Sequence, residues 1–127
     1  MSGVPEKWAE QARYDLETAH AMLESGRHLY VLFCCQQAVE KMLKGLIARR
    51  SGRFPPRFHN LKHLADIAQV RVSKRQAKFL RELGAYYIQS RYPEGLYIKP
   101  EQVDRGLADE ILDKTENLLI WLNSMLK

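Results

Sequence analysis

The chain is 127 residues long, 46% hydrophobic and 28% charged, which suits one globular domain over residues 1–127 and excludes a disordered chain. It carries 20 basic and 15 acidic side chains, for a formal net charge of +5. No run approaches the ~20 apolar residues that span a bilayer, and Met1 to Arg13 holds no apolar core of a signal peptide, so a cytoplasmic protein with no membrane partner is expected.

Pro5 suits the first turn of a helix, where its missing N–H costs nothing, and Glu6 suits the positive helix end. Trp8, Ala12, Leu16, Ala19 and Leu23 then recur at three- and four-residue steps, and Ser25-Gly26 stops the helix. A second helix is predicted from Leu29 to about Arg50, with Leu32, Cys35, Ala38, Val39, Met42, Leu46 and Ile47 buried. Glu40 and Lys44 form an i,i+4 pair, placed on its outer side. Cys34 and Cys35 are neighbours that cannot readily bridge, and read as small hydrophobes. Ser51-Gly52 ends this helix and Pro55-Pro56 bars another turn. Asn60 can cap a short helix from Leu61 to Gln69, with Leu61, Leu64, Ala65 and Ala68 inward. Ser73 can cap a helix to about Gln89, with Ala77, Leu80, Leu83, Ala85, Tyr87 and Ile88 inward. Tyr92-Pro93 and Glu94-Gly95 break it, and Leu96 to Ile98 has room to be extended. Pro100 starts the last helix, with Val103, Leu107, Ile111, Leu118, Trp121, Leu122 and Met125 inward. The expected fold is all-α: an antiparallel up-and-down bundle of four long helices plus one short helix. Its stripes are wide, and Leu29, Tyr30, Leu32 and Phe33 cover several sides of one helix end, which predicts a homodimer or larger homo-oligomer.

The charge is unevenly spread. Residues 41–81 hold twelve basic side chains and one acid, Asp66, hence +11, while the rest holds eight basic and fourteen acidic groups, hence −6. Such a middle suits an anion, acidic ends of the same molecule, or a second subunit. No Gly-rich phosphate loop, GxSxG or CxxC is present. His59 and His63 have metal-ligand spacing, but Asn60 stands where a zinc protease needs Glu, and Arg57 and Lys62 would repel a cation. They read as a capping and a surface histidine, and neither metal nor cofactor is expected. Tyr86, Tyr87, Tyr92 and Tyr97 surround Arg91, with Tyr87 assigned to packing and Tyr92 and Tyr97 open to packing or to stacking on a base. The candidate ligand contacts are Lys41, Lys44, Arg53, His59, Arg91, Tyr92 and Tyr97.

Four segments, in order, resemble the HEPN domain (higher eukaryotes and prokaryotes nucleotide-binding). They are Trp8-Ala9 to Ala19, Cys35-Gln36-Gln37-Ala38-Val39-Glu40-Lys41-Met42-Leu43-Lys44-Gly45-Leu46, His59-Asn60-Leu61 to Leu64, and Tyr87-Ile88 to Arg91-Tyr92-Pro93. The resemblance implies a helical bundle that dimerises, a separate minimal nucleotidyltransferase as partner, and in some members a toxin role. The ribonucleases of that family carry Arg, four to six residues, then His. Arg91 matches the Arg, but Leu96, Tyr97 and Ile98 stand where the His would fall. The spacings Arg13 to His20 and Arg53 to His59 lie elsewhere in the fold. General acid–base cleavage needs a group that titrates near neutrality, which an arginine cannot supply. The resemblance therefore implies a non-catalytic module binding a nucleotide or RNA, with no catalytic residue. The alternatives are a ribonuclease, if His59 or His63 approaches Arg91 in space, and an oligomerising scaffold without ligand.

Overall fold

The computed structural model describes residues 3–91 and 98–126, and for residues 88–91 the backbone only. Five α-helices follow in order: α1 (Val4–Glu24), α2 (His28–Ser51), α3 (Leu61–Ile67), α4 (Lys74–Arg91) and α5 (Arg105–Ser124). No strand occurs among the described residues, so the all-helical bundle expected from periodicity is what forms. No helix among them is long and apolar enough to cross a membrane.

The helix ends follow local chemistry. The Gly3 N–H donates to the Glu6 carboxylate at 2.8 Å, closing the first turn of α1. Gly52, with φ of 69°, ends α2 in the left-handed conformation that glycine adopts without strain. The Asn60 side chain accepts from the His63 N–H at 3.0 Å and caps α3. Ser73 and Gln76 cap α4 reciprocally: Ser73 Oγ accepts from the Gln76 N–H at 3.0 Å and Gln76 Oε1 from the Ser73 N–H at 2.9 Å. The last helix departs from expectation. Pro100 opens only a 3-10 turn, Pro100–Gln102. Val103 is extended and buried, and Asp104 restarts the chain as α5 by accepting from the Leu107 N–H at 2.8 Å. An aspartate cap outcompetes a proline start because it satisfies an N–H that proline leaves orphaned.

α2 is the centre of the bundle, with α1, α3, α4 and α5 all packed on it. Fifteen of its 24 residues are buried, more than one amphipathic stripe can hold. That burial overturns one expectation: Glu40 and Lys44 do pair, but inside the protein, because in this stretch α2 has no outer side. A second correction is on α4, where Ala85 is exposed. The Ile88 side chain lies outside the described residues. At the α2 N-terminus Leu29 and Leu32 are buried and Tyr30 is exposed. Gly45 lets α1 approach: a Cβ there would sit 3.0 Å from Trp8 Cβ and 3.2 Å from the Pro5 carbonyl oxygen. α4 packs on α2 and α3, α5 packs on α2 and α1, and an open groove lies between α4 and α5.

Candidate functional site

The central feature is a polar line on the buried face of α2. Gln36, Glu40 and Lys44 are spaced four residues apart, so their side chains follow one another along the helix. Lys44 Nζ lies 3.0 Å from Glu40 Oε2, and Gln36 Nε2 donates to Glu40 Oε1 at 3.0 Å. The third donor comes from the loop before α3. His59 Nδ1 lies 2.9 and 3.0 Å from the two Glu40 oxygens, and Gln36 Nε2 also reaches the His59 carbonyl at 3.4 Å. A buried carboxylate is tolerated only with such partners, and here it has an ammonium, an amide and an imidazole. Lys44 is further covered by the Trp8 ring of α1, 6.0 Å from its centroid. Asn60 caps the following helix, so His59 is no cap. Its imidazole is fixed by Glu40.

His59 carries this buried line out to the surface, where its side chain is 49% exposed. There a groove of about 460 Å³ runs between the start of α3 and the side of α4, lined by His59, Asn60, Leu61, Arg81, Gly84 and Tyr87 among others. The Tyr87 ring sits 5.1 Å from the His59 ring and is stacked on Phe33 at 5.7 Å. Gly84 leaves the wall open, since a Cβ there would meet nothing within 4 Å. His63 takes no part: its ring stacks on Phe58 at 4.7 Å. Because Nδ1 faces a carboxylate, the tautomer with the proton on Nδ1 is favoured, and Nε2 then has a lone pair to offer a ligand.

The HEPN domain model matches residues 5–125. The chain belongs to the HEPN domain family. The crystal structure of TT1696 from Thermus thermophilus is 30% identical, with 95% of this HEPN chain and 97% of that chain covered and a TM-score of 0.83. ST0689, described as an archaeal HEPN homologue, is 26% identical, with coverage of 97% and 98% and a TM-score of 0.77. No curated protein matches.

Within this HEPN fold the residues expected to contact ligand scatter. Lys41 faces α1 and pairs with Asp15 at 2.8 Å. Lys44 is buried on Glu40. Arg53 is exposed on the loop after α2 and does not line the groove. His59 is in the groove. Arg91 is the last residue of α4, four residues and about 6 Å of helix rise beyond Tyr87. Its side chain, Tyr92 and Tyr97 lie outside the described residues. Sequence reasoning missed Gln36 as a partner of Glu40, and Arg81 and Tyr87 as groove residues. A signal for the first was there: positions 36, 40 and 44 fall among apolar positions 35, 39, 42, 43 and 46 of one helix. Arg81 had no local signal, since an exposed arginine on a helix reads as solvated surface.

The basic middle is partly consumed within the molecule. Lys41 pairs with Asp15, Lys44 with Glu40, Arg49 with Glu6 and Lys62 with Asp66. Arg50 donates to the Ala68 and Gln69 carbonyls at 2.5 and 3.1 Å, closing the end of α3. Burial pushes the Cys34 thiol up to about 11, with Asp15 adding to it, and burial pushes Cys35 up to about 12.

Proposed function

We propose that the groove beside His59 binds a nucleotide phosphate, either free or within RNA, without chemical turnover. The observation that carries this reading is the seating of the His59 imidazole on the buried Glu40 carboxylate, in a groove that Arg81 also lines. A guanidinium can grip phosphate through two N–H groups, and the carboxylate-fixed imidazole offers its Nε2 lone pair to a ribose hydroxyl or a base N–H of the same nucleotide. Tyr87 and His59 supply flat surface, and the groove volume suits a small ligand. The test is binding of adenosine monophosphate and a short oligoribonucleotide, by calorimetry and fluorescence anisotropy. His59→Ala and Arg81→Ala should each weaken both at least tenfold, and the RNA slope against log salt should be about −0.7 per phosphate engaged. Wild-type affinity in both variants would overturn the reading.

One observation favours a second reading, RNA cleavage. The His59 ring packs on Tyr87, one helical turn before Arg91. A carboxylate-held imidazole can take the 2′-hydroxyl proton as the 2′-oxygen bonds to phosphorus and the P–O5′ bond breaks, with the leaving 5′-oxygen protonated by water and an arginine meeting the phosphate. Cleavage of an oligoribonucleotide but not its 2′-deoxy analogue, lost in His59→Ala, would replace the binding reading. Family membership also supports a self-associating chain with a separate nucleotidyltransferase as partner. Sedimentation showing only a 14.8 kDa species at micromolar concentration would remove the first of these.

A further inference from the structure

We propose that the groove between α4 and α5 is a second, separate binding site, for a small phosphomonoester with an apolar body. This does not rest on the reading of the His59 groove, with which it shares no lining residue. The groove has a volume of about 670 Å³, within the range of small-molecule sites. Its floor is apolar, formed by Phe79 of α4 and Leu118 of α5, both buried. Around that floor stand three cations, Arg75, Lys78 and Lys114, and one carboxylate, Glu82. The lining residues carry a formal charge of +2, or +1 with the Glu110 carboxylate that pairs with Lys114, so the groove favours an anionic group such as a phosphate.

Two of the three cations are unpaired among the described residues, and the third is shared with Glu110. Arg75 and Lys78 are exposed and form no ion pair with any described residue. Lys114 is held in place: its Nζ lies 3.5 Å from Glu110 Oε2 and 6.0 Å from the centroid of the Phe79 ring. An ammonium is thus stationed directly over apolar floor. A ligand that presents a phosphate to that ammonium lays the group attached to it against Phe79 and Leu118. Two amides complete the lining. Gln76 Oε1 already accepts from the Ser73 N–H, which leaves its NH₂ to donate, and Asn117 lies across the groove on α5. Gln76 belongs to the first turn of α4, whose dipole adds to the preference for an anion. Inorganic phosphate would gain only the charge, while a neutral aromatic would gain only the floor.

Phenyl phosphate is the minimal probe of that chemistry, titrated into the ¹⁵N-labelled 127-residue chain and followed by amide shifts. Saturable shifts should centre on Phe79, Lys114 and Asn117, with affinity at least tenfold above that for inorganic phosphate. Lys78→Glu with Lys114→Glu should lower affinity at least tenfold while the melting temperature stays within a few degrees, both side chains being exposed. Lys78→Gln with Lys114→Gln is the milder form of the same test and should give an intermediate loss. Arg53→Ala, which removes an exposed cation that lines neither groove, should leave these shifts and the affinity unchanged, which ties binding to this lining rather than to net charge. No saturable shift at millimolar phenyl phosphate would overturn the proposal. So would equal affinity in the charge-reversed variant, or shifts confined to His59 and Tyr87.

Discussion

Glu40→Gln is the substitution that most directly tests the buried polar line. Glutamine keeps the volume and one acceptor oxygen, so no cavity opens and the apolar packing of α2 is unchanged. What goes is the counter-charge of Lys44 and one of the two oxygens that His59, Gln36 and Lys44 share. The side chains of Glu40 and Lys44 are only 6% and 9% exposed, so water cannot take over. Leaving one member of such a pair uncompensated costs about 3–5 kcal/mol. At roughly 3–4 °C per kcal/mol for a chain of this size, that is a drop in melting temperature of about 10–20 °C. Lys44→Met removes the orphan charge and keeps an unbranched chain against Trp8. The double variant should therefore recover most of the loss. Urea unfolding followed by circular dichroism, on both single variants and the double, gives the coupling as a cycle. The reasoning fails if Glu40→Gln costs less than about 1 kcal/mol, or if the double variant loses the sum of the two singles.

The two glycines that face different neighbours should answer the same substitution with opposite signs. Gly84→Ala, into open space, should stabilise by about 0.8–1 kcal/mol through helix propensity, whereas Gly45→Ala, against Trp8 and Pro5, should cost about 1–2 kcal/mol in chemical denaturation. Thiol alkylation reads the cysteines: with Cys34 at about 11 against 9.0 for a free thiol, its thiolate fraction at pH 8 is about 100-fold lower, so native protein should react with iodoacetamide about that much more slowly than unfolded protein. Because the raised thiol holds its proton in the folded state only, stability should also fall as pH rises above 9. Comparable alkylation rates before and after urea would refute the burial argument. Glu6 runs the other way: the N–H groups at the start of α1, its own and that of Gly3, hold its carboxyl below 4.5, with Arg49 adding to this. Its contribution is present above that pH and lost as pH falls through the lowered value, so Glu6→Gln should flatten the acid limb of the stability profile.

The fold was legible because helix ends and apolar stripes are local. Asn60 and Ser73 carry cap chemistry within three residues of the group they satisfy, and both cap as expected. Pro100 misled for a local reason too: Asp104 offered a better cap four residues on. The site was less legible because its members come from three elements. Glu40 and Lys44 looked like a surface pair, and nothing nearby in sequence says that α1, α3 and α4 will close over them. His59 was seen, but beside His63, its neighbour by spacing, rather than Glu40, its neighbour in space. Arg81 and Tyr87 come to line the groove only because α4 lies beside the α3 loop.

The placement of the remaining cations does not follow from the stability of α4. Of the twelve basic residues between 41 and 81, five are engaged within the molecule: Lys41, Lys44, Arg49 and Lys62 in ion pairs, and Arg50 on carbonyls. Two more, Arg53 and Arg57, are exposed on the loop after α2. The other five, Arg71, Lys74, Arg75, Lys78 and Arg81, are exposed over a span of eleven residues that enters α4 and runs along its first half. Helix dipoles favour acids at that end, and the first turn of α4 holds none. Each cation in that turn costs a few tenths of a kcal/mol rather than contributing it. None of the five forms an ion pair with a described residue, whereas α1 spends Glu6 and Asp15 on α2, so neither the acidic ends nor local helix energetics accounts for this row. The row does coincide with two grooves flanking α4, Arg75 and Lys78 on the rim of one and Arg81 on the rim of the other. A row of cations set against its own helix dipole, beside two open grooves, is the local inconsistency from which both binding proposals start.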